Sequence, residues 1–236
     1  MKTTIVPDIL KELKANINAT YLERSKNFFK ENVRNMGISV PVLRSIAKKH
    51  YACIKGFNKK DAFSICEELL DTDFFEGHII AFDWTYRIRK IYSEEDFIIL
   101  ERWLKKYVSN WATCDDFCTH ALGYHLYSFP EYLPKAALWT RSKNMWLRRA
   151  SAVSLIYSIR RNEHLDQVFL VSDTLMNDNE DLVQKGYGWL LKETSKHNLD
   201  EVYTYVLKNK MTMPRTALRY AIEKMPRKYK LTAMST

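Results

Sequence analysis

Apolar side chains recur three and four residues apart along almost the whole chain, the mark of helices with one buried face. Pro7 sits where a first helical turn tolerates proline, and Ile9, Leu10 and Leu13 follow on one face. A second helix is predicted from about Thr20 to Asn32, with Tyr21, Phe28 and Phe29 apolar, stopping near Gly37 as a left-handed C′ residue. Ser39-Val40-Pro41 starts the next, with Leu43, Ile46 and Ala47 inward, and another begins near Asn58 and carries Phe63, Ile65 and Leu69. No stretch alternates apolar and polar residues as a half-buried strand would, so the chain reads as all-α.

From residue 71 the helices repeat. Short polar stops at Asp71-Thr72-Asp73, Ser109-Asn110, Ser142-Lys143-Asn144 and Asn177-Asp178-Asn179 each introduce a helix of similar length. Aligned on Asp73, Asn110, Asn144 and Asn179, the steps are 37, 34 and 35 residues. The first members are predicted at roughly 74–90, 111–128, 145–161 and 180–196 and their partners near 94–107, 130–140, 163–176 and 199–208, with a last helix after Pro214. Pro130 and Pro134 fall between helices, as at a pair boundary. One amphipathic pair cannot bury its apolar face alone, so each pair rests on its neighbours, and a small rotation per repeat leaves the inner helices lining a concave channel. The period also puts chemistry in register: the fifth residue after each anchor is His78, Asp115, Arg149 and Gln184. Gly77, Gly123, Gly186 and Gly188 weaken the first members as helices, and in return let another helix or a ligand backbone come close.

Composition bears on the partner more than on the fold. Hydrophobic residues at 46% suffice for a large core, and six glycines with six prolines are too few for a loop-rich sandwich or barrel. A formal charge of +9 favours polyanions, nucleic acid before acidic membrane, although a lysine-rich soluble surface gives the same sum. Distribution sharpens the choice: Lys208, Lys210, Arg215, Arg219, Lys224, Arg227, Lys228 and Lys230 face the single acid Glu223, a phosphate-contacting end in prospect. No apolar run approaches the length of a membrane span. Met1-Lys2-Thr3-Thr4 runs straight into a helix start, so a cytoplasmic protein with reduced thiols is expected. Cys114-x3-Cys118 with His120 resembles half a metal site only superficially, since no second pair is visible. Cys53, Cys66, Cys114 and Cys118 therefore read as small buried residues, and neither metal nor cofactor is expected.

Three clusters carry candidate chemistry. In Asn110-Trp111-Ala112-Thr113-Cys114-Asp115-Asp116, Trp111 and Asp115 share a helix face one turn apart, close to an N-terminus with unpaired amides. Asp115 either compensates the helix dipole, forms a structural ion pair with Arg149, or faces a sugar while Arg149 holds phosphate. In Lys143-Asn144-Met145-Trp146-Leu147-Arg148-Arg149 the two arginines diverge by about 100°, so one faces the channel and the other its flank, or both are solvated. In Gln184-Lys185-Gly186-Tyr187-Gly188-Trp189, glycines leave room around a large aromatic, with Trp189 either in the core or toward a ligand.

With these residues in hand, the chain resembles the AlkD-type alkylpurine DNA glycosylases over about residues 24–228. The motifs are Phe28-Phe29-x5-Met36-Gly37-Ile38-x2-Pro41-x2-Arg44, Ser109-Asn110-Trp111-x3-Asp115, Leu122-Gly123, Asn144-Met145-Trp146-Leu147-x-Arg149-Ala150 and Gln184-Lys185-x2-Gly188-Trp189. The resemblance implies a right-handed superhelical solenoid of HEAT-like antiparallel helix pairs with a concave basic groove. It would form one domain over 1–236: N-terminal helices at about 7–70, regular repeats at about 71–208 and a basic C-terminal helix at about 213–230. It implies hydrolysis of the N-glycosidic bond of cationic N3- or N7-alkylated purines in double-stranded DNA, by a monomer, without a deep pocket for the damaged base. Asp115 would be the catalytic acid residue, Trp111 and Trp189 the active-site tryptophans and Arg149 the channel arginine. Arg148, Lys185, Arg44, Lys208, Lys210, Arg215 and Arg219 would contact DNA. The chain departs from the pattern at Ala112, where the best-known relatives are acidic, and Asp116 adds a second acid beside Asp115. A non-catalytic binder of DNA structure and a protein-interaction solenoid are the alternatives on the same scaffold.

Overall fold

A computed structural model describes residues 5–235, and helical periodicity is realised along nearly all of them. In order, the α-helices are α1 (Val6–Ala15), α2 (Ala19–Ser25), α3 (Val40–Ile54), α4 (Lys59–Leu70), α5 (Phe75–Arg87), α6 (Asp96–Tyr107), α7 (Trp111–Phe117), α8 (Gly123–Ser128), α9 (Leu133–Ala137), α10 (Met145–Val153), α11 (Ile156–Ile159), α12 (Leu165–Leu175), α13 (Asp181–Thr194), α14 (Leu199–Asn209), α15 (Arg215–Ile222) and α16 (Arg227–Met234). No strand occurs among the described residues. The chain divides between Phe117 and Cys118 into two compact units.

Within each unit the sequence period reappears as a contact rule. Residues about one repeat apart touch. In the first unit Phe82 and Phe117 stack at 4.4 Å, and the Trp84 indole N–H donates to the Ala47 carbonyl at 2.9 Å. There Arg102 pairs with Glu67, while Lys106 and Tyr107 both reach Asp71. In the second unit Tyr205 donates to Asp173 at 2.7 Å and Lys192 pairs with Glu223 at 2.9 Å. Trp84, Trp103, Tyr187, Phe82, Phe97 and Phe117 are fully buried, each contributing roughly 1.5–3 kcal/mol of apolar transfer.

Several predicted boundaries move, for identifiable reasons. The helix predicted for 20–32 ends with a 3-10 turn at Lys26–Phe28, and the chain beyond it is non-helical up to α3. Buried Glu76 draws the segment out, because its carboxylate accepts the amides of Met36 at 3.0 Å and Ile38 at 3.4 Å. Gly37 does have a left-handed backbone, φ 76°, but within this segment rather than as a helix C′ residue. The segment 130–140 becomes α9 flanked by two 3-10 turns, as Pro130 and Pro134 remove amide donors. Pro226 likewise splits the predicted C-terminal helix into α15 and α16. The helix predicted at 111–128 is continuous but widens into a π-turn at Cys118–Leu122. Gly123 closes that turn where a Cβ would lie 2.5 Å from the Cys118 carbonyl and 2.9 Å from that of Ser154.

Candidate functional site

The first unit carries the tryptophan–aspartate half of the predicted constellation. Asn110 caps α7, its side-chain oxygen accepting the Thr113 amide at 3.0 Å. The cap fixes the first turn, and with it Trp111, whose indole N–H donates to the Phe28 carbonyl at 3.0 Å while the side chain stays 36% exposed. Asp115 follows one turn later and is half-buried, as is Asp116. Trp111 lies 5.8 Å from the Phe29 ring, and Phe29 lies 5.5 Å from Phe75, forming an aromatic row. The row borders a cavity of about 240 Å³ with Tyr21, Phe28 and Glu76. Burial pushes the Glu76 carboxyl above its ordinary value, against the opposing pull of the Met36, Ile38 and Gly37 amides. His78, the residue in register with Asp115, is buried and hydrogen-bonded to the Leu70 carbonyl at 3.0 Å. Burial lowers its basicity, and its setting is that of a core histidine.

The second unit holds the arginine–tryptophan half on α10 and α13. Asn144 caps α10 by accepting the Trp146 amide at 2.8 Å. Arg149 is 5% exposed and donates to the Leu182 carbonyl in the first turn of α13. Gly186 makes room for it, since a Cβ there would stand 3.2 Å from the Arg149 Cγ. The resemblance implies a channel arginine, whereas here the guanidinium is tucked against the next helix. Trp189 is half-buried and donates to Glu193 at 3.2 Å. Glu193 also accepts from Lys196 at 2.8 Å and Arg160 at 3.3 Å. Burial alone would raise its carboxyl, but the bonds from Lys196, Trp189 and Arg160 outweigh it and hold the group below its ordinary value.

The predicted phosphate contacts divide into two groups. Arg148 is half-buried rather than fully solvated. It donates to Asp178 at 2.6 Å and to the carbonyls of Ser142 and Lys143 at 2.9 and 3.1 Å, so its fork ties one polar stop to the next. Lys185 pairs with Asp181 at 2.6 Å, and Lys210 donates to the Ser235 carbonyl at 2.9 Å at the end of α16. Arg44, Lys208, Arg215 and Arg219 are exposed and make no ion pair among the described residues. Three of the four cysteines are buried, and Cys53 is exposed. Sequence reasoning missed Glu76 and Glu193. The signals were an acid in the first turn of α5 and an acid four residues after Trp189.

The described residues form an all-α protein. A solved structure described as a predicted DNA alkylation repair enzyme from Enterococcus faecalis superposes with a TM-score of 0.77 at 19% identity, covering 88% of this chain and 95% of the other. A search of curated proteins found no match. The family model for DNA alkylation repair enzymes matches residues 9–225, and the chain belongs to that family.

Proposed function

We propose that the protein is a DNA glycosylase that hydrolyses the N-glycosidic bond of cationic N3- or N7-alkylated purines in duplex DNA. What carries the reading is the pair on α7: a capped, partly exposed Trp111 and an acid, Asp115, one turn behind it. Alkylation makes the purine cationic, so the C1′–N bond breaks with its electron pair passing to the ring and the base departs neutral. No general acid is needed. Positive charge then develops on the deoxyribose, and a carboxylate beside it stabilises that charge and orients water. Water adds at C1′ and its proton passes to the carboxylate or to solvent. The indole face of Trp111 favours the same cationic sugar. Arg149 acts as a positioning residue, since its contact with Leu182 sets α10 against the helix that bears Trp189. Exposed Arg44, Lys208, Arg215 and Arg219 supply phosphate contacts.

The test is release of 7-methylguanine and 3-methyladenine from methylated duplex DNA. Asp115→Asn is expected to slow release roughly a hundredfold or more while DNA binding persists, and Asp116→Asn to stay near wild type. Release by Asp115→Asn at the wild-type rate would refute the assignment. The burial of Arg149 is the observation that favours a second reading, a non-catalytic binder of branched DNA. That reading predicts salt-sensitive binding to junctions with no base release.

A further inference from the structure

The motif Phe28-Phe29-x5-Met36-Gly37-Ile38 supplies no side chain to the chemistry above, yet its backbone is fixed from two sides. On α5, the carboxylate of Glu76, 1% exposed, accepts the buried Met36 amide with both oxygens at 3.0 Å and the Ile38 amide at 3.4 Å. The Phe75 amide adds a second tie to α5 by donating to the Arg34 carbonyl at 2.9 Å. On the other side Gly37 lies against α2, where a Cβ would stand 2.5 Å from that of Leu22. The Gly37 amide donates to the Asn35 side chain at 3.1 Å, and the Ser25 hydroxyl at the end of α2 donates to the same oxygen at 3.1 Å.

These ties decide the fate of one carbonyl. Had the helix run on to Asn32, as its apolar pattern predicts, the Phe28 carbonyl would accept the Asn32 amide four residues on. Instead the chain turns extended at Phe29, φ −119° and ψ 137°, and that carbonyl becomes an orphan helix end. The Trp111 indole N–H takes it at 3.0 Å, and the Phe29 ring lies 5.8 Å from the indole. We propose that Glu76 is a positioning residue for Trp111: it holds residues 29–38 extended, and the extended segment presents the Phe28 carbonyl that fixes the indole one turn ahead of Asp115. The link to catalysis rests on the glycosylase reading above. Glu76 acts through backbone amides alone, and its burial suits that role. An amide in its place would set an NH2 group against a buried amide donor.

Indole N–H resonances of the full chain report this geometry apart from excision. Of the six tryptophans, the Trp111 signal is the one lost in Trp111→Phe. Trp84, whose N–H donates to the Ala47 carbonyl in the same unit, is the internal reference. Glu76→Gln is expected to shift the Trp111 signal and speed its exchange with solvent about tenfold, with Trp84 unmoved. Asn35→Ala loosens the same segment while leaving Glu76 in place and should act in the same direction; it decides alone if Glu76→Gln also moves Trp84. Base release from methylated duplex DNA is measured in parallel. Glu76→Gln should lower kcat about tenfold with KM nearly unchanged, and the double variant with Trp111→Phe should be no slower than the slower single variant. A Trp111 signal unmoved in both Glu76→Gln and Asn35→Ala overturns the proposal, as do rate losses that multiply in the double variant. Wild-type protein that releases no base while its Trp111 signal follows Glu76 sinks the glycosylase reading and leaves the indole anchor standing. Release at the wild-type rate in Glu76→Gln, with the signal moved, leaves the glycosylase standing and sinks the positioning role.

Discussion

Gly188→Ala is expected to destabilise the protein even though it improves a helix. Alanine in the middle of α13 gains about 0.8–1 kcal/mol of helix propensity over glycine. Against this, the new Cβ would lie 2.7 Å from the Tyr220 Cβ, 2.8 Å from the Ala217 carbonyl oxygen and 3.1 Å from the Ala217 Cα. Carbon atoms pack at about 3.5–4.0 Å, so α15 must retreat by roughly an ångström. Two of the three neighbours are backbone, which cannot rotate aside. Overpacking of this kind costs typically 1–3 kcal/mol and more when the backbone must move, leaving a net loss of about 1–2 kcal/mol. For a chain of this length that lowers Tm by about 2–8 °C. Gly186→Ala is the internal control. Its Cβ meets the flexible Arg149 stem at 3.2 Å and no backbone within 3.6 Å, so the propensity gain and the crowding nearly cancel. Thermal and urea unfolding of the two variants side by side decides the matter. If Gly188→Ala melts at or above wild type, α13 and α15 are not in the close contact that gives this glycine its role.

The Glu193 network makes stability depend on pH with a definite sign. Its folded carboxyl titrates below the ordinary glutamate value, so its stabilisation is complete above the unfolded value of about 4.3 and is lost as pH falls through the folded one. Urea midpoints should drop between about pH 5 and pH 3, and Glu193→Gln should flatten part of that drop; an unchanged profile would contradict the assignment. Salt titration of duplex binding separates the two groups of basic residues. Arg215→Ala and Arg219→Ala should each reduce the slope of log K against log salt by about 1. Lys185→Ala should reduce it less, since that ammonium is already paired with the Asp181 carboxylate at 2.6 Å; equal losses at all three would refute the division.

How much of this was legible in the sequence depends on the range of the interaction involved. Helix starts were legible because they are local: Asn110 and Asn144 cap the helices they were expected to introduce, and both signals lie within three residues. The crowding at Gly186 and Gly188 was legible too, because glycine in a helical pattern is costly without a close neighbour. The extended stretch before α3 was not. Phe28 and Phe29 continue a helical pattern, and what ends it is a carboxylate about 40 residues away, Glu76 reaching the Met36 amide. The π-turn at Cys118–Leu122 escaped for a similar reason, since its cause includes the Ser154 carbonyl facing Gly123. The depth of Arg149, 5% exposed, was not legible either. Periodicity assigns a residue to a helix face, and burial on that face depends on what the next helix presents, here Leu182 and Gly186.

That distinction matters most for the positive charge. The chain has 37 basic and 28 acidic residues, and a count treats them alike. In the folded units many are matched across one repeat, as Arg102 with Glu67, Lys106 with Asp71, Arg148 with Asp178 and Lys192 with Glu223. Pairs at the surface add little stability, but they remove guanidinium and ammonium groups from the set that meets phosphate without first losing a partner. A DNA contact by Arg148 must break a bidentate bond to a carboxylate that is itself 7% exposed, a loss that phosphate only partly replaces. A contact by Arg215 or Arg219 displaces only water and counterions, and counterion release is what drives such binding. Basic residues of one chain can therefore serve opposite ends. The stacking period recruits one charge to hold successive layers together, and recognition falls to the basic side chains that no layer has claimed.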